Sequence, residues 1–218
     1  MNPDLLEQPF PNAGPQTRDE LTASVVLHRY AAGETVSHQG DRDRLLLVTD
    51  GHVGLRRITL DGRCVMGRIA ASGDLATILP LGDRETMAEA IALTDATVAS
   101  WPAELVRTMA RSDEGLATDL FDRVLDTLET AIQSLDVLVH QGATVRVARV
   151  LLVHGALLFG PDAPLPRRHL PAMVGTSREM TGRVLRTLER EGIVARVGRG
   201  LRLLDAKALE EAALMPAA

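Results

Sequence analysis

Short apolar runs separated by glycine turns make up residues 21–99. Turn signals recur at about the 8–12-residue spacing that is typical of antiparallel barrels and sandwiches, at Gly33-Glu34, Gly40-Asp41, Asp50-Gly51, Asp61-Gly62 and Gly73-Asp74. Asp61-Gly62 is the strongest hairpin signal, because a type I′ turn needs positive φ at both central positions. The pattern therefore predicts a β domain over residues 21–102. Residues 1–20 lack periodicity and predict a loose arm.

A long segment without proline, residues 103–141, follows the predicted β domain. Apolar residues recur in it at alternating steps of four and three, at Phe121, Leu125, Leu128, Ile132, Leu135 and Val139. This is the heptad pattern by which two helices bury one stripe against each other. A second stripe lies beside it at Val124, Ala131 and Leu138. A helix packed only on its own domain needs one stripe, so two stripes favour a dimerisation helix that also contacts its domain.

Residues 170–192 predict two helices joined by a tight turn at Gly175. Apolar side chains form a short face before the glycine and a stripe after it, at Leu170, Met173, Val174, Val184, Leu185 and Leu188. Thr176 and Glu179 have the spacing of a capping box that begins the second helix. Gly192 lies where a helix stop is expected. Together these features predict a helix-turn-helix.

A small hairpin follows the second helix, with apolar alternation on both sides of Gly198-Arg199-Gly200. A hairpin in this place makes a winged helix-turn-helix, which we assign to residues 143–218. The loop of residues 160–164, rich in proline and glycine, lies ahead of the motif.

The second helix carries charged residues at its start, where a helix-turn-helix enters the major groove. Arg178, Glu179 and Arg183 lie there, and Glu179 and Arg183 share a face at an i,i+4 step. Arginine donates two bonds to guanine and glutamate accepts from cytosine, so the trio predicts half-sites that contain G·C pairs. The alternative is that all three are solvated helix charges, with Glu179 a capping partner. Candidate contacts to the DNA backbone are Thr176, Ser177, Arg186, Arg196, Arg199 and Arg202.

The net charge of −5 over 218 residues conceals two halves of opposite sign. Residues 1–142 carry 12 Arg and 22 acidic residues, a net −10, whereas residues 143–202 carry 11 Arg and 4 acidic residues, a net +7. Residues 203–218 carry the remaining net −2. Such asymmetry is typical of an anion-binding module attached to another domain. It supports double-stranded DNA as the partner.

Composition excludes several other classes of protein. A hydrophobic content of 45% excludes a mainly disordered chain. No uncharged apolar stretch approaches the roughly 18 residues of a membrane span, and the N-terminal residues lack a signal-peptide core. The single cysteine, Cys64, excludes an internal disulfide and any multi-cysteine zinc or iron–sulfur site. We therefore expect a cytoplasmic protein without membrane contact.

The motif VGTSREMTGRVLRTLEREGIV is similar to the DNA-binding signature of the Crp–Fnr family, that of the cyclic-AMP receptor protein and the fumarate–nitrate reductase regulator. AAGETVSHQGD, LLLVTDGHVGL and GDLA resemble the family's β-roll. The resemblance covers about residues 21–205. It implies an α+β fold with an effector-sensing antiparallel β-roll, a dimerisation helix and a C-terminal winged helix-turn-helix. The implied function is that of a homodimeric transcription regulator, not an enzyme, on a palindromic operator.

The resemblance also assigns individual roles. Arg178, Glu179 and Arg183 match the family's base-reading pattern Arg-Glu-x-x-Gly-Arg, and the loop of residues 160–166 is expected to contact RNA polymerase. Pro171 departs from the family's pattern, because it removes a backbone donor from the first helix of the motif and would shorten or kink it.

An effector pocket is implied at Asp74, Leu75, Ala76, Arg84 and Thr86. Cyclic-nucleotide binders hold the ribose with a glutamate, which is shortened to aspartate here, and the phosphate with an arginine, whose position falls on Thr86. Arg84 lies two residues early. A buried anion site without its cation loses its charge-assisted bonds, so cyclic AMP bound in the family's manner is not expected.

Other sensor chemistries and functions stay open. No cysteine cluster is present for an iron–sulfur sensor, whereas haem could take an axial ligand from His28, His38, His52 or Cys64. Cys64 follows Arg63 and is either a redox-active thiolate or a buried inert thiol. A cupin-like enzyme domain would need clustered metal ligands, and no His-x-His pair is present. A third alternative is a ligand-binding protein whose helix-turn-helix contacts proteins.

Overall fold

We describe a computed structural model of the chain, which covers residues 9–58 and 64–214 and, for residues 133–140, the backbone alone. The chain divides into two compact units, Met1–Arg57 with Arg68–Ala131 and Ile58–Gly67 with Ile132–Ala218. The division falls within the long helix, whereas the sequence places a boundary at residue 142. The α+β architecture of β domain, long helix and winged helix-turn-helix is as predicted.

Two four-stranded sheets form the β domain. The strands are β1 (Val26–Tyr30), β2 (Thr35–Ser37), β3 (Arg44–Asp50), β4 (Val53–Ile58), β5 (Cys64–Ala70), β6 (Leu75–Thr77), β7 (Glu89–Ala92) and β8 (Ala96–Pro102). One sheet has the order β1-β8-β3-β6 and the other β2-β7-β4-β5. The strand pairs in the described residues are antiparallel. Asp61-Gly62, the predicted hairpin turn between β4 and β5, lies outside the described residues.

The central strand β3 explains why the sequence shows an unbroken apolar run there. Side chains alternate between the faces of a strand. Leu45 and Leu47 therefore lie in one core with the helices, and Leu46 and Val48 lie in a second core between the sheets. Because both faces of β3 are buried, its sequence lacks the polar alternation of a half-exposed strand.

The segment before β1 is not a loose arm over its described part. Phe10 is fully buried and meets the ring of Trp101 edge-on at 6.4 Å between centroids. The carboxylate of Asp119, itself buried, accepts hydrogen bonds from the backbone N–H of Asn12 at 2.9 Å and of Ala13 at 3.2 Å. Helix α1 (Pro15–Ser24) follows. Sequence periodicity missed this packing, because the buried contacts come from residues about 90–110 positions away.

Two helices occupy the segment that the sequence predicts as one continuous helix. They are α2 (Ala103–Ser112) and α3 (Glu114–His140), which are separated at Asp113. Asp113 has an extended backbone, and its carboxylate accepts from Leu116 N at 2.9 Å, which caps α3 in the manner of an N-cap residue. A hydrogen bond from Thr17 and the backbone bond from Leu116 hold the pKa of Asp113 below its ordinary value.

The C-terminal unit is built from short helices and one hairpin. Its elements are α4 (Ala143–Val153), α5 (Gly155–Leu158), α6 (Leu170–Val174), α7 (Arg178–Arg190), β9 (Val194–Val197), β10 (Gly200–Leu203) and α8 (Ala206–Leu214). Helix α8 packs along α4, where Arg149 Nε donates to the carbonyl of Ala213 at 3.3 Å. Across the described part of the chain, no helix is long and apolar enough to span a membrane.

Candidate nucleic-acid interface

Helices α6 and α7 form the predicted helix-turn-helix. Gly175 ends α6 with φ 67° and ψ 39°, a left-handed conformation that glycine adopts without a side-chain clash. Thr176 N donates to Pro171 O at 3.1 Å and closes the turn. Pro171 lies in the first turn of α6, where a helical N–H has no partner inside the helix, so the expected kink does not occur. The helix is short, with five residues.

The N-cap of α7 is Ser177 and not Thr176, which corrects the predicted capping box. Ser177 Oγ accepts from Met180 N at 3.0 Å, three residues further on. Glu179 therefore lies in the first turn of the helix and is not the reciprocal partner of the cap. Its carboxylate instead pairs with Arg183 at 3.3 Å, the predicted i,i+4 contact.

One side of α7 is buried and the other is covered with charge. Val184, Leu185 and Leu188 form the buried stripe, as predicted. Thr181, which the sequence did not assign, joins that side, with its hydroxyl donating to Ser177 O at 3.0 Å. Burial of this stripe fixes the rotation of the helix, so the opposite side must face solvent.

The solvent side of α7 holds the predicted base-reading trio. The side chains of Glu179 and Arg183 are 81% and 63% exposed, and Arg178 is exposed at the first position of the helix. A shallow open cleft continues along the same helix, lined by Arg183, Arg186, Thr187, Glu189 and Arg190. The arrangement presents several guanidinium donors in a row, which suits an anionic surface.

Some of the residues predicted to contact the DNA backbone are exposed, and others are bonded to groups within the protein. Arg186 and Arg202 are exposed. Arg196 Nε pairs with Glu189 Oε1 at 2.8 Å, and Arg199 Nη2 donates to the carbonyl of Asp162 at 3.3 Å. Thr176 is half-buried, and the hydroxyl of Ser177 caps the helix.

Strands β9 and β10 make the wing, with Leu201 paired to Arg196 and Leu203 to Val194. Its turn is held by a residue that the sequence analysis did not single out. Arg167 Nη1 donates to Gly198 O at 2.7 Å and to Gly200 O at 3.4 Å. No sequence signal marks Arg167, because its contacts lie about 30 residues further along the chain.

The candidate effector residues are not brought together as a set of free polar groups. Asp74 Oδ2 accepts from Ala71 N at 2.9 Å within its own turn, and its Oδ1 pairs with Arg68 at 3.4 Å. The buried hydroxyl of Thr86 donates to His38 O at 2.9 Å. Leu75 and Ala76 are buried, whereas Arg84 is exposed.

The surroundings of these residues are also paired internally. Glu85 forms an ion pair with Arg42 at the surface, and this hydrogen bond and charge raise the pKa of Arg42. Arg68 donates to Leu75 O at 3.3 Å and approaches the hydroxyl of Thr127 on α3 at 3.5 Å. A single partly buried arginine thus joins the turn of Asp74 to the long helix.

The candidate redox and metal groups are scattered. Cys64, at the start of β5, is a free thiol of intermediate exposure, so it is not the fully buried thiol of the inert alternative. The ring of His28 lies against Tyr30. Among the residues that the structure describes, no three His, Cys, Asp or Glu side chains are grouped so that they could hold a metal ion.

The predicted dimer seam is an exposed apolar stripe. The exposed fractions are 60% for Phe121, 45% for Leu125, 54% for Leu128 and 57% for Ile132. The last two positions of the seam, Leu135 and Val139, lie where side chains are outside the described residues. Val124, beside the seam, is also 44% exposed.

Comparison with known proteins agrees with this architecture. A model of the cyclic nucleotide-binding domain matches residues 27–113, and a model of the Crp-like helix-turn-helix domain matches residues 145–212. The chain is 31% identical over 207 residues to the cyclic AMP receptor protein of Thermus thermophilus, which covers 94% of this chain and 95% of that protein.

Two further similarities come from a regulator and a solved structure. The cAMP-activated global transcriptional regulator Vfr of Pseudomonas aeruginosa is 31% identical over 191 residues, 81% of this chain and 88% of that protein. The structure of a CRP/FNR-family transcriptional regulator from Thermus thermophilus matches with a TM-score of 0.74 at 25% identity, over 88% of this chain and all of that chain. This chain therefore belongs to the Crp–Fnr family of transcription regulators and binds DNA through a Crp-like helix-turn-helix.

Proposed function

We propose that the protein acts as a homodimer on a palindromic operator and that Arg178, Glu179 and Arg183 contact its bases. The observation that carries the proposal is the orientation of α7, whose buried stripe turns these three side chains to solvent at the start of the helix. In this motif the N-terminal part of the second helix meets base edges. The ion pair between Glu179 and Arg183 holds both side chains ready for adjacent G·C pairs.

Contacts to the DNA backbone come from the arginines around α7 and the wing. Arg186 and Arg202 are exposed and extend the positive surface on either side of the base-reading trio. Arg196 and Arg199 are engaged with Glu189 and Asp162 in the free protein. Arg199 can exchange its carbonyl partner for a phosphate, to which an arginine binds more strongly, and Arg196 can exchange the carboxylate of Glu189 for a phosphate. Thr176 and Ser177 lie at the start of α7, directly before the base-reading trio, and Ser177 is exposed there.

The dimer forms through the stripe of Phe121, Leu125, Leu128 and Ile132. Four large apolar side chains at heptad spacing, each about half exposed, would be costly to leave in water. A second copy of α3 offers the matching stripe. Two recognition helices held by one seam would meet half-sites one helical turn, or a multiple of it, apart.

In this proposal, cyclic AMP does not bind to the sensor domain in the manner that is usual for the family, and the domain responds to a different effector. Some relatives are named for cyclic AMP. In this chain, the carboxylate of Asp74 and the hydroxyl of Thr86 are already bonded internally, and the family's arginine position carries no cation. The loop of residues 160–166, beside the wing, faces RNA polymerase in this proposal.

Selection of binding sites from random duplex DNA, with matched variants, tests the base-reading assignment. The wild type should select a palindrome containing G·C pairs. Arg183→Ala should lose about 1–3 kcal/mol of discrimination at one position of each half-site. Arg202→Ala, which removes the same charge from β10, should weaken binding to all sequences alike. An unchanged base preference in Arg183→Ala would refute the assignment.

A further inference from the structure

We propose that Arg167 is a positioning residue for DNA binding, which holds the wing turn where Arg199 and Arg202 meet backbone phosphates. The wing turn is defined as residues 198–200. The inference rests on the proposed wing contacts and adds a residue that makes those contacts possible without touching DNA itself.

Arg167 bonds to the backbone of every residue of the wing turn. Its Nη1 donates to Gly198 O at 2.7 Å and to Gly200 O at 3.4 Å, and its backbone N–H donates to Arg199 O at 3.0 Å. A guanidinium presents its donors in a rigid fork, so one side chain can cross-link the two ends of a turn. Both side-chain bonds come from Nη1, so this one nitrogen links the carbonyl groups at the two ends of the turn and braces the backbone.

The loop before the helix-turn-helix also bonds to the wing turn and to the strand that follows it. Arg199 N donates to Pro161 O at 3.1 Å, and Gly160 N donates to Leu201 O at 2.7 Å. A Cβ atom on Gly198, which has φ 50°, would lie 2.3 Å from Pro161 O. The turn is thus fixed between this loop and Arg167.

This support matters because the wing is small. Its two strands have four residues each, and an isolated two-stranded hairpin is marginally stable in water. The position of Arg199 and Arg202 therefore depends on the bonds around the turn. A hairpin that is held in place before binding avoids the entropic cost of ordering on the DNA.

The salt dependence of operator binding distinguishes a brace from a direct contact. The slope, taken as the magnitude of the fall in log K per log unit of salt concentration, gains about 0.9 from each phosphate contact. Removing one direct contact would lower the slope by that amount. Since Arg167→Ala should release both wing arginines, we expect a decrease of about 1.8. Arg168→Ala is the matched control, because it removes an exposed arginine one residue away and should lower the slope by no more than about 0.9.

A double-mutant comparison makes the test decisive. In an Arg199→Ala/Arg202→Ala background, Arg167→Ala should cause no further decrease in slope, because the contacts it supports are gone. If the decrease in slope from Arg167→Ala adds to that of the double variant, the positioning role of Arg167 is wrong, whereas the proposed wing contacts stand. If the slope of Arg199→Ala/Arg202→Ala equals that of the wild type, the proposed wing contacts are wrong and the inference is wrong with them. This outcome can be told apart from additive decreases, which leave the wing contacts intact.

Gly198→Ala disturbs the wing turn without removing any charge. The new methyl group displaces the turn from Pro161, so the slope should fall although every cation is retained. Retention of the palindrome preference in this variant and in Arg167→Ala would show that α7 is still folded. An unchanged slope in Gly198→Ala, together with a folded helix, would overturn the inference.

Discussion

The DNA-binding module and the sensor sheets carry their candidate residues in opposite ways. In the module, Arg178, Glu179 and Arg183 stand on the solvent side of a helix and are open to a partner. In the sensor, Asp74 and Thr86 are bonded to their own chain. Both regions match family models, so membership of a family does not by itself decide whether the polar groups of a site are free.

The physical reason lies in what decides exposure. A side chain on α7 faces solvent because a stripe of apolar residues in the same 13-residue helix turns the helix that way. Thr86 is buried because its loop pairs with a segment 48 residues earlier, where His38 offers a carbonyl. In α7, the residues that determine exposure are close together in the sequence, whereas in the sensor domain they are far apart. Exposed candidates should affect partners when changed, and internally bonded ones should affect stability.

We expect the largest effect from a substitution in the exposed seam of α3, which tests the division between exposed and internally bonded residues. Leu128→Glu places a charge in the apolar stripe and should give a folded monomer. Because two linked half-sites gain about 10²–10⁴ in affinity over one, binding to the palindrome should fall by that factor. Light scattering and operator titration measure both quantities. Asp122→Ala, on the same helix, is the control. A dimer that persists with Leu128→Glu would show that the stripe is not the interface.

A smaller effect is expected from the internally bonded residues of the sensor. Arg68→Ala removes the partner of Asp74 and the bond to Leu75 O, and should lower the free energy of unfolding by about 1–3 kcal/mol. Arg84→Ala, at an exposed candidate position, should change it by less than about 0.5 kcal/mol. Urea titration measures both. If both variants lowered the free energy of unfolding by the same amount, the division between bonded and exposed candidates would be contradicted.

The smallest effect sharpens the comparison inside the DNA-binding module. Ser177→Ala should lower the free energy of unfolding by about 1 kcal/mol, because it removes the N-cap of α7. Thr176→Ala, at the position where the sequence predicts the cap, should cost less. Thermal unfolding of the two variants gives the order. If Thr176→Ala were the more costly, the capping box would be the correct description of the helix start.

Several elements were predictable because short-range patterns encode them. The buried stripe at Val184, Leu185 and Leu188, the turn at Gly175 and the ion pair between Glu179 and Arg183 all follow from helical spacing. The error at the helix start was also local. Two adjacent hydroxyl residues can both cap a helix, and the sequence does not say which one the backbone will use.

Other features depend on residues that are far apart in sequence. Phe10 and Asn12 belong to a packed segment only because Trp101 and Asp119 are there to receive them. Asp113 divides the long helix, because Thr17 and the start of α3 hold its carboxylate. Composition and periodicity do not predict contacts between residues that are so far apart in sequence.

The sequence by itself determined the order of modules, the charge contrast between them and the face of α7 that is exposed to solvent. These properties depend on residues within a few helical turns of one another, where spacing fixes direction. Only the tertiary structure decided which candidates are free. The bonding of Asp74 and Thr86 and the brace that Arg167 provides arise where distant segments meet, because a polar group that leaves water must find a partner wherever the fold supplies one.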